Sequence, residues 1–292
     1  MLADWRYAYA AAAALDGDHA AAADLFAQAL EQEPGFAPAA FGFAVACEAL
    51  ERRGEARAGF AQSLLIAPDD ELGAGLHLAR LEGRAAPASP AYVAALFDQY
   101  AQSFDAHLVE ALEYDGPGQL KAAVGTRRFS CVLDLGCGTG LAGAAFAAQA
   151  GTLAGVDLSA RMVAGARSKR IYQRLVVGSI DEFLAGEPDA SADLVLAADV
   201  APYLGPLEPV MRQVARVLAP GGLFALTAQS GPEPISLGAD LRFAHSAAYL
   251  AGAAKAAGLC LASLEPASIR RDRGLPVPGH VAVFARGATS GR

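Results

Sequence analysis

The sequence predicts an α/β fold built on a mostly parallel sheet, preceded by a small all-α helical domain. Three observations predict it. The first 68 residues repeat with a period of 34. From Ala91 onward, apolar runs of strand length alternate with helical stretches. The first of those runs ends in "VLDLGCGTGL" (Val132 to Leu141), a turn stripped to glycine and small residues. At 292 residues the chain has room for two domains, read as 1–83, a linker at 84–90, and 91–292.

In the repeat, Ala22, Phe26, Ala29, Leu30 and Pro34 recur as Ala56, Phe60, Ser63, Leu64 and Pro68. That period is the tetratricopeptide one, with two antiparallel helices per copy. Gly17 and Gly54 mark the turns, and the prolines end the second helices. Gly54 stands six residues before Phe60, whereas Gly17 stands nine before Phe26, so the second copy reads as degenerate. "ELGAGLHLARLEG" (Glu71 to Gly83) is expected to cap the stack, with His77 a packed or half-exposed histidine in its apolar stripe. The proline-punctuated "RAAPASPAY" reads as the linker.

"AYVAALFDQYAQSFDAHLVEAL" is helical, as is "QLKAAVG" after it. Strands are expected at Cys131–Leu135, Leu153–Val156, Leu175–Val177, Leu194–Ala198 and Leu223–Thr227. Two late runs, Leu259–Leu264 and Val281–Ala285, follow a helix near Ala247–Ala257 and are joined by the polar, proline-rich "EPASIRRDRGLPVPGH". They read as an antiparallel pair closing one edge of the sheet.

In an open parallel sheet, ligands bind beyond the carboxyl ends of the strands. Gly136, Gly138 and Gly140 lie at such an end, where a missing Cβ lets backbone N–H groups approach a ligand at a helix N-terminus. Gly138, Gly140 and Gly143 also spell GxGxxG, the dinucleotide fingerprint. Asp134, two residues before the first glycine, would repel a diphosphate but suits a cationic ammonium. Asp157 ends the next strand in "GVDLS", where a carboxylate accepts both hydroxyls of a ribose. It indicates a nucleoside without naming which.

The charge is uneven. Of a net −8, residues 1–86 carry −7, so a phosphate backbone is a poor partner and no nucleic acid is expected. No apolar run reaches about 18 residues, and the N-terminus lacks a basic start. The expectation is a cytoplasmic protein without membrane attachment. Cys47, Cys131, Cys137 and Cys260 show no metal-ligand spacing and read as reduced. Cys137 has no histidine near it in sequence to make it a nucleophile.

"VLDLGCGTG", "GVDLS", "DLVLAADVAPYLG" and "VARVLAPGGLFALT" resemble, in order, the motifs of class I S-adenosylmethionine-dependent methyltransferases. Segments such as "LFDQYAQSFDAHLVEALEY" and "LRFAHSAAYL" resemble predicted bacterial methyltransferases that carry tetratricopeptide repeats. The resemblance implies a seven-stranded Rossmann-like methyltransferase sheet, with the last strand inserted antiparallel between the fifth and sixth. It implies S-adenosylmethionine as cofactor, with Gly136, Cys137, Gly138 and Gly140 against its methionine part and Asp134 near its ammonium. Asp157 and Leu158 would flank the ribose. Where the family often has an acid for adenine, this chain has "GSID", leaving Ser179 in that place and Ile180 to serve by backbone and packing. Tyr100 and Phe104 resemble positions that cover the cofactor, whereas His107 reads as structural.

Methyl transfer needs mainly in-line placement, worth roughly 7–11 kcal/mol. If the acceptor must lose a proton, His245 is the candidate base. Asp199 and Tyr203 are expected beside the methyl and the acceptor, Asp199 touching the cofactor as well. Arg270, Arg271 and Arg273 could meet an anionic acceptor or form a solvated basic loop. The expected partners are an unidentified methyl acceptor, small molecule or protein, and a protein bound through the repeats. The competing readings are an adaptor with a non-catalytic methyltransferase fold, and a nicotinamide-dependent oxidoreductase.

Overall fold

The computed structural model describes residues 2–101, 114–272 and 274–287, and the chain divides into two compact units, Met1–Tyr92 and Val93–Arg292. The first contains α1 (Leu2–Leu15), α2 (His19–Gln32), α3 (Ala37–Ala49), α4 (Arg53–Ile66) and α5 (Ala74–Leu81). Its core sets the equivalent rings Phe26 and Phe60 among buried alanines, including Ala22, Ala29, Ala44 and Ala56. Asp18 starts α2 by accepting from the N–H of Ala21 at 3.0 Å. His77 packs as expected: its ring stacks on Phe60 at 4.6 Å and its Nδ1 lies 2.8 Å from Glu48 Oε2. Burial pushes its pKa down against the pull of Glu48.

The second repeat is not degenerate, and the reading of its turn is corrected. Gly17 has φ +81°, and 34 residues later Glu51 has φ +59°. The same backbone hydrogen bond follows in each copy, from Asp18 N–H to the Ala13 carbonyl at 2.9 Å and from Arg52 N–H to the Cys47 carbonyl at 2.8 Å. Gly54 sits inside the first turn of α4. A glutamate holds a left-handed position that a glycine would hold at lower cost, by about 1–2 kcal/mol.

The second unit takes α6 (Pro90–Tyr100) from Val93 and continues with α7 (Gly116–Val124), β1 (Phe129–Leu135), α8 (Leu141–Phe146), β2 (Ala150–Asp157), α9 (Ala160–Ser168) and β3 (Arg174–Val177). Then come α10 (Ile180–Ala185), β4 (Ala192–Ala197), α11 (Ala201–Leu204), α12 (Glu208–Val217) and β5 (Leu218–Ser230). β6 (Ile235–Leu237), β7 (Phe243–His245), α13 (Ala247–Ala256), β8 (Leu259–Asp272) and β9 (Leu275–Arg286) complete it. Strands β3, β2, β1, β4 and β5 run parallel in that order. β9 pairs antiparallel with β5 along Leu223–Gln229, and β8 pairs outside β9, so the antiparallel insertion is as expected.

Two features depart from expectation. The short strands β6 and β7 extend the carboxyl end of β5, where Gln229 and Ser230 pair parallel with Ala244 and His245. The segment read as a proline-rich connection is itself a hairpin, with β8 and β9 paired out to Asp272 and Leu275. Pro266 is tolerated there because β8 is an outer strand with one side unpaired.

Alternating residues serve the two faces of the sheet. Leu133, Leu135, Val195 and Phe224 pack with Met211 and Val214 of α12 and Leu250 of α13. Val132, Leu194 and Ala225 pack on the other face with Leu120 of α7 and Phe146 of α8. Among the described residues, no helix is long and apolar enough to cross a membrane.

Candidate functional site

The parallel strands deliver their carboxyl ends to one edge, and the polar burial of this unit collects there. After β1, Gly136, Gly138 and Gly140 have φ of +61°, +53° and +90°, a left-handed run that side chains rarely adopt. Cys137 within it donates its N–H to the Val156 carbonyl at 2.9 Å, and its side chain faces Gly155. Burial, then the carboxylates of Asp134 and Asp157, push its thiol far up, so it is no nucleophile.

Asp157, at the end of β2, clamps this loop. Its Oδ2 accepts from Gly138 N–H and its Oδ1 from Ser159 N–H, each at 2.9 Å. Burial raises its pKa, and those two bonds oppose the rise. Leu158 beside it is half-buried. Ser159 caps α9 and donates its hydroxyl to Asp98 of α6. Phe97, the neighbour of Asp98, meets Tyr203 of α11 edge-on at 5.2 Å. Thus α6 reaches the ends of β2 and β4 through Phe97 and Asp98. Tyr100, the expected contact, is 47% exposed. Phe104, His107 and Arg273 lie outside the described residues.

Asp134 has no exposure at all. Its Oδ2 accepts from the hydroxyl of Tyr172 at 2.6 Å, while its Oδ1 makes no hydrogen bond among the described residues. Burial pushes its carboxyl up to about 7, against the Tyr172 hydroxyl. Gly143 lies under this phenol: a Cβ there would stand 2.1 Å from the Tyr172 oxygen. The third glycine of the apparent dinucleotide fingerprint therefore makes room for a side chain of this protein.

Ser179 is already occupied. Its hydroxyl caps α10, accepting from Glu182 N–H at 3.2 Å and lying 3.0 Å from the Glu182 carboxylate. Ile180 packs at the margin of the sheet core.

At the end of β4, Asp199 holds φ +58° and donates its N–H to Thr227 Oγ1 at 2.8 Å. Both its carboxylate oxygens accept from one nitrogen of Arg270, at 2.8 and 2.9 Å. Arg270 is only 4% exposed, which corrects the solvated-loop expectation for that residue. Burial raises Asp199, while Arg270 and then Arg242 pull it down. Arg242, just before β7, is drawn up chiefly by Tyr203 and then Asp199, against its burial. Arg271 is exposed and donates to the Gly274 carbonyl.

His245, the candidate base, lies in β7 at the carboxyl end of the sheet. It has no exposure, and its Nε2 lies 2.6 Å from the Gly205 carbonyl, to which it donates. Burial lowers its pKa, and its ring stacks on Tyr249 at 5.5 Å. The imidazole braces the turn after Tyr203 through Nε2, while its Nδ1 is buried and makes no hydrogen bond among the described residues.

Asp98, Tyr114, Tyr172 and Arg242 were missed as site residues. Burial pushes the Tyr114 hydroxyl far up, with Asp199 and Asp134 adding to it, so Tyr114 remains a donor beside both acids. The only signal in the sequence was a glycine spacing too dense for one ligand.

Residues 133–226 match the family profile of the methyltransferase domain, and residues 13–81 that of the tetratricopeptide repeat. The malonyl-[acyl-carrier protein] O-methyltransferase of Pseudescherichia vulneris is 32% identical over 135 residues, 46% of this chain and 52% of that protein. The chain thus spans about half the length of the curated relatives it matches. The complex between the Haloferax volcanii Trm112 methyltransferase activator and a methyltransferase matches with TM-score 0.53 and 21% identity, over 65% of this chain and 97% of that one. Burkholderia thailandensis 1,6-didemethyltoxoflavin-N1-methyltransferase, solved with S-adenosylhomocysteine, matches with TM-score 0.51 and 20% identity, over 67% of this chain and 89% of that one. The structural likenesses establish the fold. The second unit thus contains a segment that matches a methyltransferase domain and has the α/β fold of solved methyltransferases, and the first contains a segment that matches a tetratricopeptide repeat.

Proposed function

We propose that the second unit binds S-adenosylmethionine at the carboxyl edge of its sheet and passes the methyl group to an oxygen or nitrogen acceptor, with a carboxylate the favoured class. The observation that carries the reading is the Asp157 clamp. Each of its oxygens has one backbone hydrogen bond and a second lone pair, so the carboxylate can hold two ribose hydroxyls without releasing the loop. The buried Oδ1 of Asp134, which makes no hydrogen bond among the described residues, fits the same cofactor, because a methionine ammonium would supply it a donor. A dinucleotide diphosphate there would meet a like charge.

Bound S-adenosylmethionine supplies a sulfonium methyl open to in-line displacement. Asp157 would hold the ribose with Leu158 beside it. The backbone of Gly136, Cys137, Gly138 and Gly140 would line the amino-acid tail. Ser179 is committed to its helix cap, so Ile180 and the backbone would seat the adenine. Asp199 would border the methyl, and Tyr203 with Arg242 the acceptor.

Among the described residues, His245 has no exposure and Asp199 is ion-paired, which supports a carboxylate, since an ionised carboxylate needs no proton removed. Arg242, whose charged form Tyr203, Asp199 and Asp240 favour, would be the cation that meets an anion. Relatives named for O-methylation of malonyl-[acyl-carrier protein] agree with that chemistry. The repeats would recruit a protein through the groove lined by Ala27, Leu30, Phe43, Ala58 and Gln62, with Glu31 at its edge. A cytoplasmic setting and a functional division at 1–83, 84–90 and 91–292 belong to the same proposal.

Incubating the protein with methyl-labelled S-adenosylmethionine and cell extract tests it. Label released by alkali as methanol marks an ester and supports the carboxylate. Alkali-stable label keeps methyl transfer and excludes the carboxylate. Peptide capture without any labelled product favours the adaptor.

A further inference from the structure

The Tyr172 ring is accommodated by three glycines from two neighbouring elements. A Cβ at Gly140, the N-cap of α8, would stand 3.0 Å from the ring; at Gly143, in the first turn of α8, 2.1 Å from the hydroxyl; and at Gly155, on β2, 2.9 Å from the ring. A phenylalanine would fill almost the same volume. Only the hydroxyl reaches the acid, donating to Asp134 Oδ2 at 2.6 Å. The other oxygen is buried and makes no hydrogen bond among the described residues, an arrangement that costs stability unless a donor arrives.

We propose that Tyr172 is a positioning residue: by engaging Oδ2 it orients Asp134 so that Oδ1 accepts from the ammonium of the cofactor's amino-acid tail. The consequence is selectivity. Nucleosides that carry the tail are preferred over those that lack it, and the preference depends on one phenolic hydroxyl. Burial supports this, because a carboxyl already raised to about 7 loses more of its charge at neutral pH when its donor is removed. The inference rests on the proposed cofactor.

The test is calorimetry of wild type and Tyr172→Phe with two probes, S-adenosylhomocysteine and 5′-methylthioadenosine, which lacks the tail. Tyr172→Phe is expected to weaken S-adenosylhomocysteine about tenfold and to leave 5′-methylthioadenosine within about twofold. Asp134→Asn is expected to show the same selective loss, which guards against a folding defect in the first variant. Equal weakening of both probes would mean that the hydroxyl only braces the loop, and no weakening would mean that it is idle; either overturns the inference while the cofactor reading stands. A wild type that binds neither probe overturns both.

Discussion

Each unit lays an aromatic ring across glycine, and the two rings end differently. In the helical unit, Phe26 covers Gly42, where a Cβ would stand 2.5 Å from the tip of the ring, and its other neighbours are alanines and further rings. In the sheet unit, Tyr172 covers Gly143, and its tip is a hydroxyl bonded to a buried acid. The first contact buries carbon against carbon and serves packing. The second uses the same close approach to fix a charge. Glycine spacing therefore reports function only when the atom it admits is known.

Charge pairs differ between the units in the same sense. Arg80 meets Glu48 at 2.7 Å with side chains 28% and 17% exposed, whereas Arg270 and Asp199 are 3% and 19% exposed. Arg270→Met leaves Asp199 enclosed without its partner and is expected to cost about 3–5 kcal/mol; Arg80→Met is expected to cost about 1 kcal/mol or less. Denaturant titration of both variants measures the gap, and equal costs would break the comparison.

Overpacking the two glycines separates packing from placement. Gly42→Ala and Gly143→Ala are each expected to lose about 1–3 kcal/mol. Only Gly143→Ala is expected to weaken S-adenosylhomocysteine as well, because it drives the phenol from Asp134. Thermal melts with and without that compound check this.

Asp134 also confers a pH dependence. Its carboxyl is raised from 3.8 to about 7, so the folded protein binds the proton more tightly than the unfolded chain. The stability it contributes is full below about pH 4 and is lost as pH rises through 7, at up to about 1.4 kcal/mol per pH unit. Unfolding midpoints at pH 5, 6, 7 and 8 should therefore fall more steeply for wild type than for Asp134→Asn. Parallel curves would place the titration elsewhere.

The smallest effect concerns the helical unit alone. Glu51→Gly relaxes the left-handed turn that Gly17 occupies in the first repeat, and is expected to stabilise by about 1 kcal/mol. No gain in melting temperature would mean that Glu51 makes up for its backbone strain elsewhere.

Legibility followed the range of the interaction. The repeat, the seven main strands and the glycine turn with Asp157 were readable because periodicity and strand-end chemistry are local. Strands β6 and β7 were not, since three residues carry no period and their pairing depends on the end of β5. The β8–β9 extension was hidden by Pro266, Pro276 and Pro278, which argue against a strand except at a sheet margin. Glu51 was masked by its own side chain, since nothing in a glutamate signals positive φ. Tyr172 became meaningful only when folding brought Gly140, Gly143, Gly155 and Asp134 around it, and His245 only when its strand enclosed it. The site was legible as a glycine turn beside a strand-end acid and illegible as a network.

The central claim is that the turn after β1, tied to Asp157, binds S-adenosylmethionine and its product. Calorimetry with S-adenosylhomocysteine on wild type and Asp157→Ala tests it most directly. The account predicts saturable one-to-one binding by wild type and the loss of most affinity, about a hundredfold, in the variant. Full affinity in Asp157→Ala, or no binding by wild type, would contradict it.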